Sequence, residues 1–166
     1  MLDHVIPKPE RINGYSLHRM VAELAAGSPA LFCDNGDHIL IRTNKAITNS
    51  PKSVTAPAAG GVIAFQLRAC VADRKGGRNL YPEIGDWRAR RAWLEAQGQK
   101  EGFEVLAVHV DGDRQNVTAG GGRKFWIDAT SFTGVLKVTD AVKFSSALAV
   151  GIGRVGKAFG MGMLII

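Results

Sequence analysis

The chain has 166 residues, 46% hydrophobic and 22% charged, a balance that fits one medium domain or two small ones and excludes a disordered polypeptide. Its net charge of +6, with a pI near 9.6, points to a polyanionic partner, most simply nucleic acid. No apolar run reaches membrane-spanning length and no secretory signal opens the chain, so a cytoplasmic protein with buried thiols at Cys33 and Cys70 is expected.

In chain order, Leu2 to Ile6 is a short, Pro-flanked stretch expected at a sheet edge. Asn13 is placed to cap a helix from Gly14 to Ala26. Its Leu17, Met20, Val21 and Leu24 recur at helical spacing, while Tyr15, His18, Arg19 and Ala22 face the other way. Ala30–Cys33 and His38–Arg42 read as strands joined through Asn35-Gly36, a hairpin signal. Thr48 to Gly61 reads as a loop. Val62 to Val71 reads as a strand with Ile63, Phe65 and Leu67 opposite Gln66 and Arg68.

Asp73 to Arg78 reads as a basic loop, and Asp86 opens a helix running to about Gln99. Phe103–Val110 is a strand, Asp111–Gly122 a polar, Gly-rich excursion read as a basic hairpin, and Lys124–Ala129 and Phe132–Val138 two further strands. Asp140 opens a helix to Val150, and a glycine loop leads to a final strand. Without the excursion, the order from Val62 is β-α-β-β-α-β, the ferredoxin-like unit, and the residues before it give β-α-β-β. The expected fold is α+β: two tandem ferredoxin-like (RRM-like) units, an eroded one over residues 1–61 and a full one over 62–166, meeting at Gly60-Gly61.

The glycine loop carries two apparent phosphate motifs. Gly151, Gly153 and Gly156 spell G-x-G-x-x-G, and Gly151 to Lys157 spell a Walker A loop with Ala158 in place of Ser or Thr. Both need a strand before and a helix after, and here the order is helix, loop, strand, which argues against a nucleotide-binding protein. A backbone stripped of side chains can still approach a phosphate closely.

Three stretches resemble one family. Tyr15-Ser16-Leu17-His18-Arg19 is similar to the head of the first helix in CasE-type CRISPR repeat endoribonucleases. Phe65-Gln66-Leu67-Arg68-Ala69 resembles one of their strands. Gly134-Val135-Leu136, then Gly151-Ile152-Gly153 through Gly162, resembles their C-terminal glycine-rich signature. The resemblance implies the repeat-associated mysterious protein superfamily, with two ferredoxin-like domains. It implies cleavage of precursor CRISPR RNA beside a repeat hairpin, without a metal or cofactor. It also implies retention in a surveillance complex with other subunits, the free chain being a monomer. Against that family the chain looks shortened between Ile47 and Val62.

The resemblance makes His18 the candidate proton donor or acceptor for attack of a ribose 2′-OH on the adjacent phosphate. Tyr15, three residues earlier on the same helical face, is its candidate helper, and Lys157 a candidate partner for phosphate charge. The candidate RNA-binding set is Arg19, Arg68, Arg74, Lys75, Arg78, Arg88, Arg90, Arg91, Arg114, Arg123 and Lys124, with Gly151, Gly153, Arg154, Gly156 and Gly160 of the loop. His4, His38 and His109 carry no pattern, and Asp111-Gly112-Asp113 lacks further ligands at calcium spacing, so no metal is expected. A non-catalytic RNA-binding subunit on the same fold is the alternative.

Overall fold

The computed structural model describes residues 1–12 and 14–166, so the expected cap at Asn13 lies outside the described residues. Among the described residues the chain is α+β, with three α-helices and two four-stranded antiparallel sheets. The first half runs β1 (Leu2–Pro7), α1 (Gly14–Leu24), β2 (Ala30–Asp34), β3 (His38–Thr43) and β4 (Lys52–Ser53), in sheet order β2-β3-β1-β4. Two expectations are corrected here. The stretch from Thr48 to Gly61 contains β4, and β1 is an inner strand. Only Leu2 and Asp3 have β4 beside them, so Pro7 meets a single neighbour, β3, and its missing N–H costs no ladder bond on the open side. The β2–β3 turn forms at Asn35-Gly36, with Gly36 at φ +94° and Asp34 Oδ1 accepting its N–H at 3.0 Å.

The second half runs β5 (Val62–Ala69), a hairpin of β6 (Asp73–Lys75) and β7 (Arg78–Leu80), α2 (Trp87–Glu101), β8 (Phe103–Thr118), β9 (Lys124–Val138), α3 (Ala141–Val150) and β10 (Leu164–Ile165), with sheet order β10-β5-β9-β8. The helix caps stand where the sequence places them. Asp86 accepts from Ala89 N at 2.9 Å, and Asp140 accepts from Val142 N and Lys143 N at 3.0 Å each.

Three segments differ from expectation. Asp73–Arg78 is a hairpin turned by Gly76 and Gly77, both at positive φ. Lys124 to Val138 is one strand, and Asp111 to Thr118 continues β8. The polar excursion is therefore a ribbon: β8 and β9 pair from Phe103↔Val138 to Thr118↔Lys124, while β5 covers β9 only from Thr130 to Lys137. The remainder projects as a two-stranded arm of roughly 20 Å, at about 3.4 Å per residue. Gly112 belongs to that ladder, because a Cβ there would stand 2.8 Å from Thr130 Oγ1.

α1 covers the outer face of the first sheet through Leu17 and Val21, with Phe32, Ile39 and Ile41 beneath. α2 and α3 cover the second sheet around Phe65, Leu67, Leu94, Phe132 and Phe144. The inner sides meet through Leu31 and Cys33 on β2 and Met163 before β10. One ion pair closes this joint. Arg42 Nε and Nη2 donate to Asp3 at 2.7 and 2.8 Å, and Nη1 donates to the carbonyls of Leu164 at 2.6 Å and Leu148 at 3.3 Å. Both side chains are buried, and the guanidinium is fully satisfied only when the halves are together.

Candidate functional site

α1 turns Leu17 and Val21 inward and leaves Tyr15 and His18 on its outer side, their ring centroids 6.4 Å apart. The half-buried imidazole also lies 6.4 Å from the Phe32 ring at an interplanar angle of 27°. Phe32 in turn lies on Gly160, where a Cβ would come within 2.9 Å of the phenyl Cε2. Gly14, one turn before His18, packs on Phe159 at 3.2 Å from its virtual Cβ. The glycine loop is thus the bed on which the helix carrying Tyr15 and His18 lies.

Beside α1 a cleft of about 150 Å³ separates the halves, lined by Gly14, Leu17, Asp34, Arg68, Gln115–Thr118 and Phe159. Arg68 donates to Gln115 Oε1 at 3.0 Å, which holds its guanidinium against the arm. The geometry therefore brings Arg68, the arm and the helix of Tyr15 and His18 to one cleft. A larger cleft of about 630 Å³ collects Arg74 and Arg154, joined by Lys100, with Asp73 and Glu101 among its walls.

Other expectations are corrected. Arg90 is not a surface cation: it is 1% exposed and donates to Asp128 Oδ2, Thr130 Oγ1 and the carbonyls of Glu83 and Asp86, tying α2 to β9. Gly151, Gly153, Gly156 and Gly160 do not form an open ledge. All four have positive φ, and their missing side chains make room for Leu31, Trp93, Cys70 and Phe32 respectively. The N–H groups of Gly151, Gly160, Met161 and Gly162 are already given to Ala147, Lys157, Gly156 and Arg68 carbonyls.

Lys157 does not reach toward His18. Its Nζ donates to the Val150 and Gly151 carbonyls at 2.7 and 3.3 Å, closing the C-terminus of α3. Burial holds its pKa below the usual lysine value, opposed by the charge of Glu101.

The remaining cations are exposed. Arg19 pairs with Glu23 at 3.7 Å and Arg91 with Glu95 at 2.8 Å, both one turn apart on their helices. Arg74, Lys75 and Arg78 stud the β6–β7 hairpin, Arg88 opens α2, and Arg114, Arg123 and Lys124 lie on the arm. Sequence reading missed Phe32 beneath His18, Gln115 beside Arg68, and the aromatic cluster Tyr81–Trp126 on the arm, ring centroids 4.8 Å apart. The unbroken alternation of Phe125, Ile127 and Ala129 was the available signal for the arm. Among the described residues no three His, Cys, Asp or Glu side chains group as a cation site requires.

Residues 35–166 match the family described as CRISPR associated protein, which is most of the chain. The chain belongs to that family. Three solved structures share its fold over 99% of its length. One is the CRISPR endoribonuclease Cse3 bound to 19 nt RNA, at 21% identity, TM-score 0.84 and 99% of that chain. The second is the CRISPR-associated protein Cas6e from Escherichia coli str. K-12, at 22% identity, TM-score 0.77 and 98% of that chain. The third is a chain of a CRISPR RNA-guided surveillance complex, at 20% identity, TM-score 0.77 and 98% of that chain. No curated protein sequence matches significantly. The alignments run nearly end to end in both chains.

Proposed function

We propose that the chain is a metal-independent endoribonuclease that cuts precursor CRISPR RNA beside a repeat hairpin and keeps the product within a surveillance complex. The 2′-OH of one nucleotide attacks the adjacent phosphorus, the P–O5′ bond breaks, and the products carry a 2′,3′-cyclic phosphate and a 5′-OH. His18 moves a proton at the 2′-oxygen or at the leaving 5′-oxygen, and Tyr15 orients the ribose or phosphate. Arg68 holds the phosphate at the cleft, and the exposed arginines and lysines named above position the stem by its backbone. We read the two sheets, each ordered fourth-first-third-second by its own strands, as tandem ferredoxin-like units over residues 1–61 and 62–166, the first without its second helix. The working protein is cytoplasmic and monomeric until it joins its complex.

The observation that carries the reading is the Tyr15–His18 pair on α1, the helix whose Gly14 and Leu17 line the Arg68 cleft between the halves. The test is cleavage of the repeat RNA from the protein's own locus, in excess chelator, by wild type and His18→Ala. Loss of about 10²–10⁴-fold in rate with unchanged RNA affinity is expected. Equal rates would sink the mechanism.

A second reading, a non-catalytic RNA-binding subunit, is favoured by Lys157: its amine is spent on α3 carbonyls, leaving His18 without that cation. RNA with deoxyribose at the scissile nucleotide separates the two. An enzyme binds it uncut while cutting the ribose form, and a pure binder treats both alike.

A further inference from the structure

The arm has two faces. Val117, Ile127 and Ala129 turn toward Cys70 and Met161 and are buried. On the opposite face of β9 stand Trp126, Asp128 and Thr130, and the last two are consumed by Arg90. Trp126 is left 39% exposed, whereas Trp93 on α2 is 7% exposed. The Arg114 guanidinium sits 4.2 Å over the Trp126 ring, and Tyr81 meets the ring at 4.8 Å and 51°. An indole fixed by a cation and a phenol, with part of its surface in water, has already lost its rotamer freedom. Trp87, 43% exposed, has its ring centroid 5.4 Å from Arg90 Cζ. Arg123 and Lys124 extend the cationic edge toward the arm tip.

Exposed indoles interleaved with arginine fit the face of a nucleobase next to its phosphate. Bases inside a stem have their faces covered by their neighbours, so a paired region cannot use this surface, whereas an unpaired nucleotide can. We propose that the outer face of the β8–β9 arm is a second RNA site, where an unpaired nucleotide flanking the stem stacks on Trp126 with its phosphate toward Arg114. The proposal rests on the RNA-binding reading and adds the single-stranded flank to the ligand. Trp126 takes no part in the proton chemistry assigned to α1.

The test titrates wild type, Trp126→Leu and Trp126→Phe with the repeat hairpin, either blunt or carrying a short oligouridine tail on its 5′ or 3′ side. It follows Kd and tryptophan fluorescence at constant salt. One of the two tails is expected to tighten wild-type binding about tenfold and to quench the exposed indoles. Trp126→Leu, which keeps apolar contact with Tyr81, should bind the blunt hairpin as wild type does and lose the gain from the tail. Trp126→Phe should keep most of it. The proposal is overturned if wild type binds the blunt hairpin but gains nothing from either tail, the outcome expected of a protein-docking face. It is also overturned if Trp126→Leu keeps the full gain, or loses blunt and tailed hairpin alike. If wild type binds neither RNA, the RNA-binding reading itself falls.

Discussion

At the scale of single residues, position comes from packing and charge state from burial. His18 is held between Tyr15 and Phe32, and Phe32 stays in place because Gly160 has no side chain to displace it. Gly160→Ala adds a methyl group against Phe32 at a backbone φ of +77°. It should cost about 1–3 kcal/mol in urea unfolding and slow RNA cleavage, while a surface change such as Arg88→Ala stays within about 0.5 kcal/mol. The two thiols answer to burial. Desolvation pushes Cys70 up to about 12, with the Asp128 charge adding to it, and it raises Cys33 as well. Neither thiol should be alkylated by iodoacetamide near neutral pH in the folded protein, and both should react once the chain is unfolded, as intact mass would read.

At the scale of elements, caps and buried pairs fix where each piece starts and what it leans on. The Asp140 carboxyl is held below its ordinary range, chiefly by the Lys143 N–H at the start of α3. A group with a depressed folded pKa contributes stability above its unfolded pKa of about 3.9, and the contribution disappears as pH falls through the lower folded value. Asp140→Asn should therefore flatten the acid limb of the stability curve in that window, lowering stability at neutral pH and leaving the most acidic region little changed. Such caps were legible in the sequence because they are local: Asp86, Asp140 and the Asn35-Gly36 turn act on residues two or three positions away. The arm was legible as a basic hairpin but the continuity of its strands was not, because Gly112 and the glycines near residue 121 look like loop punctuation. Yet Gly112 is a point of close strand approach, and the opposed bulge between Val105 and Ala107 meets Gly134.

At the scale of the whole molecule, Arg42, held by Asp3 within the first half, joins the two halves through carbonyls 106 and 122 residues further along the chain. No periodicity reveals such a contact, which is why Arg42 read as an ordinary strand residue while Arg90 read as a surface cation. Removing one partner of the joint, as in Asp3→Ala, leaves a buried guanidinium uncompensated and should cost about 3–5 kcal/mol by urea unfolding. The charge-free double change Asp3→Leu with Arg42→Met should not restore the loss in full, because it strips the Leu148 and Leu164 carbonyls of their donor. The α1 wall of the cleft, at Gly14 and Leu17, was legible from the helix alone. Its opposite wall at Gln115–Thr118 was not, since it arrives on a strand from the other half.

The same joint sets a timetable for synthesis. Arg42 leaves the ribosome well before Leu164, the carbonyl that completes its hydrogen bonds. At roughly 5–20 residues per second, the nascent first half waits on the order of ten seconds with Leu31 and Cys33 uncovered and its guanidinium still hydrated. The helix bearing His18 therefore gains its bed of glycines only once Phe159 and Gly160 have been translated, and a chain stalled short of them holds that helix without its support.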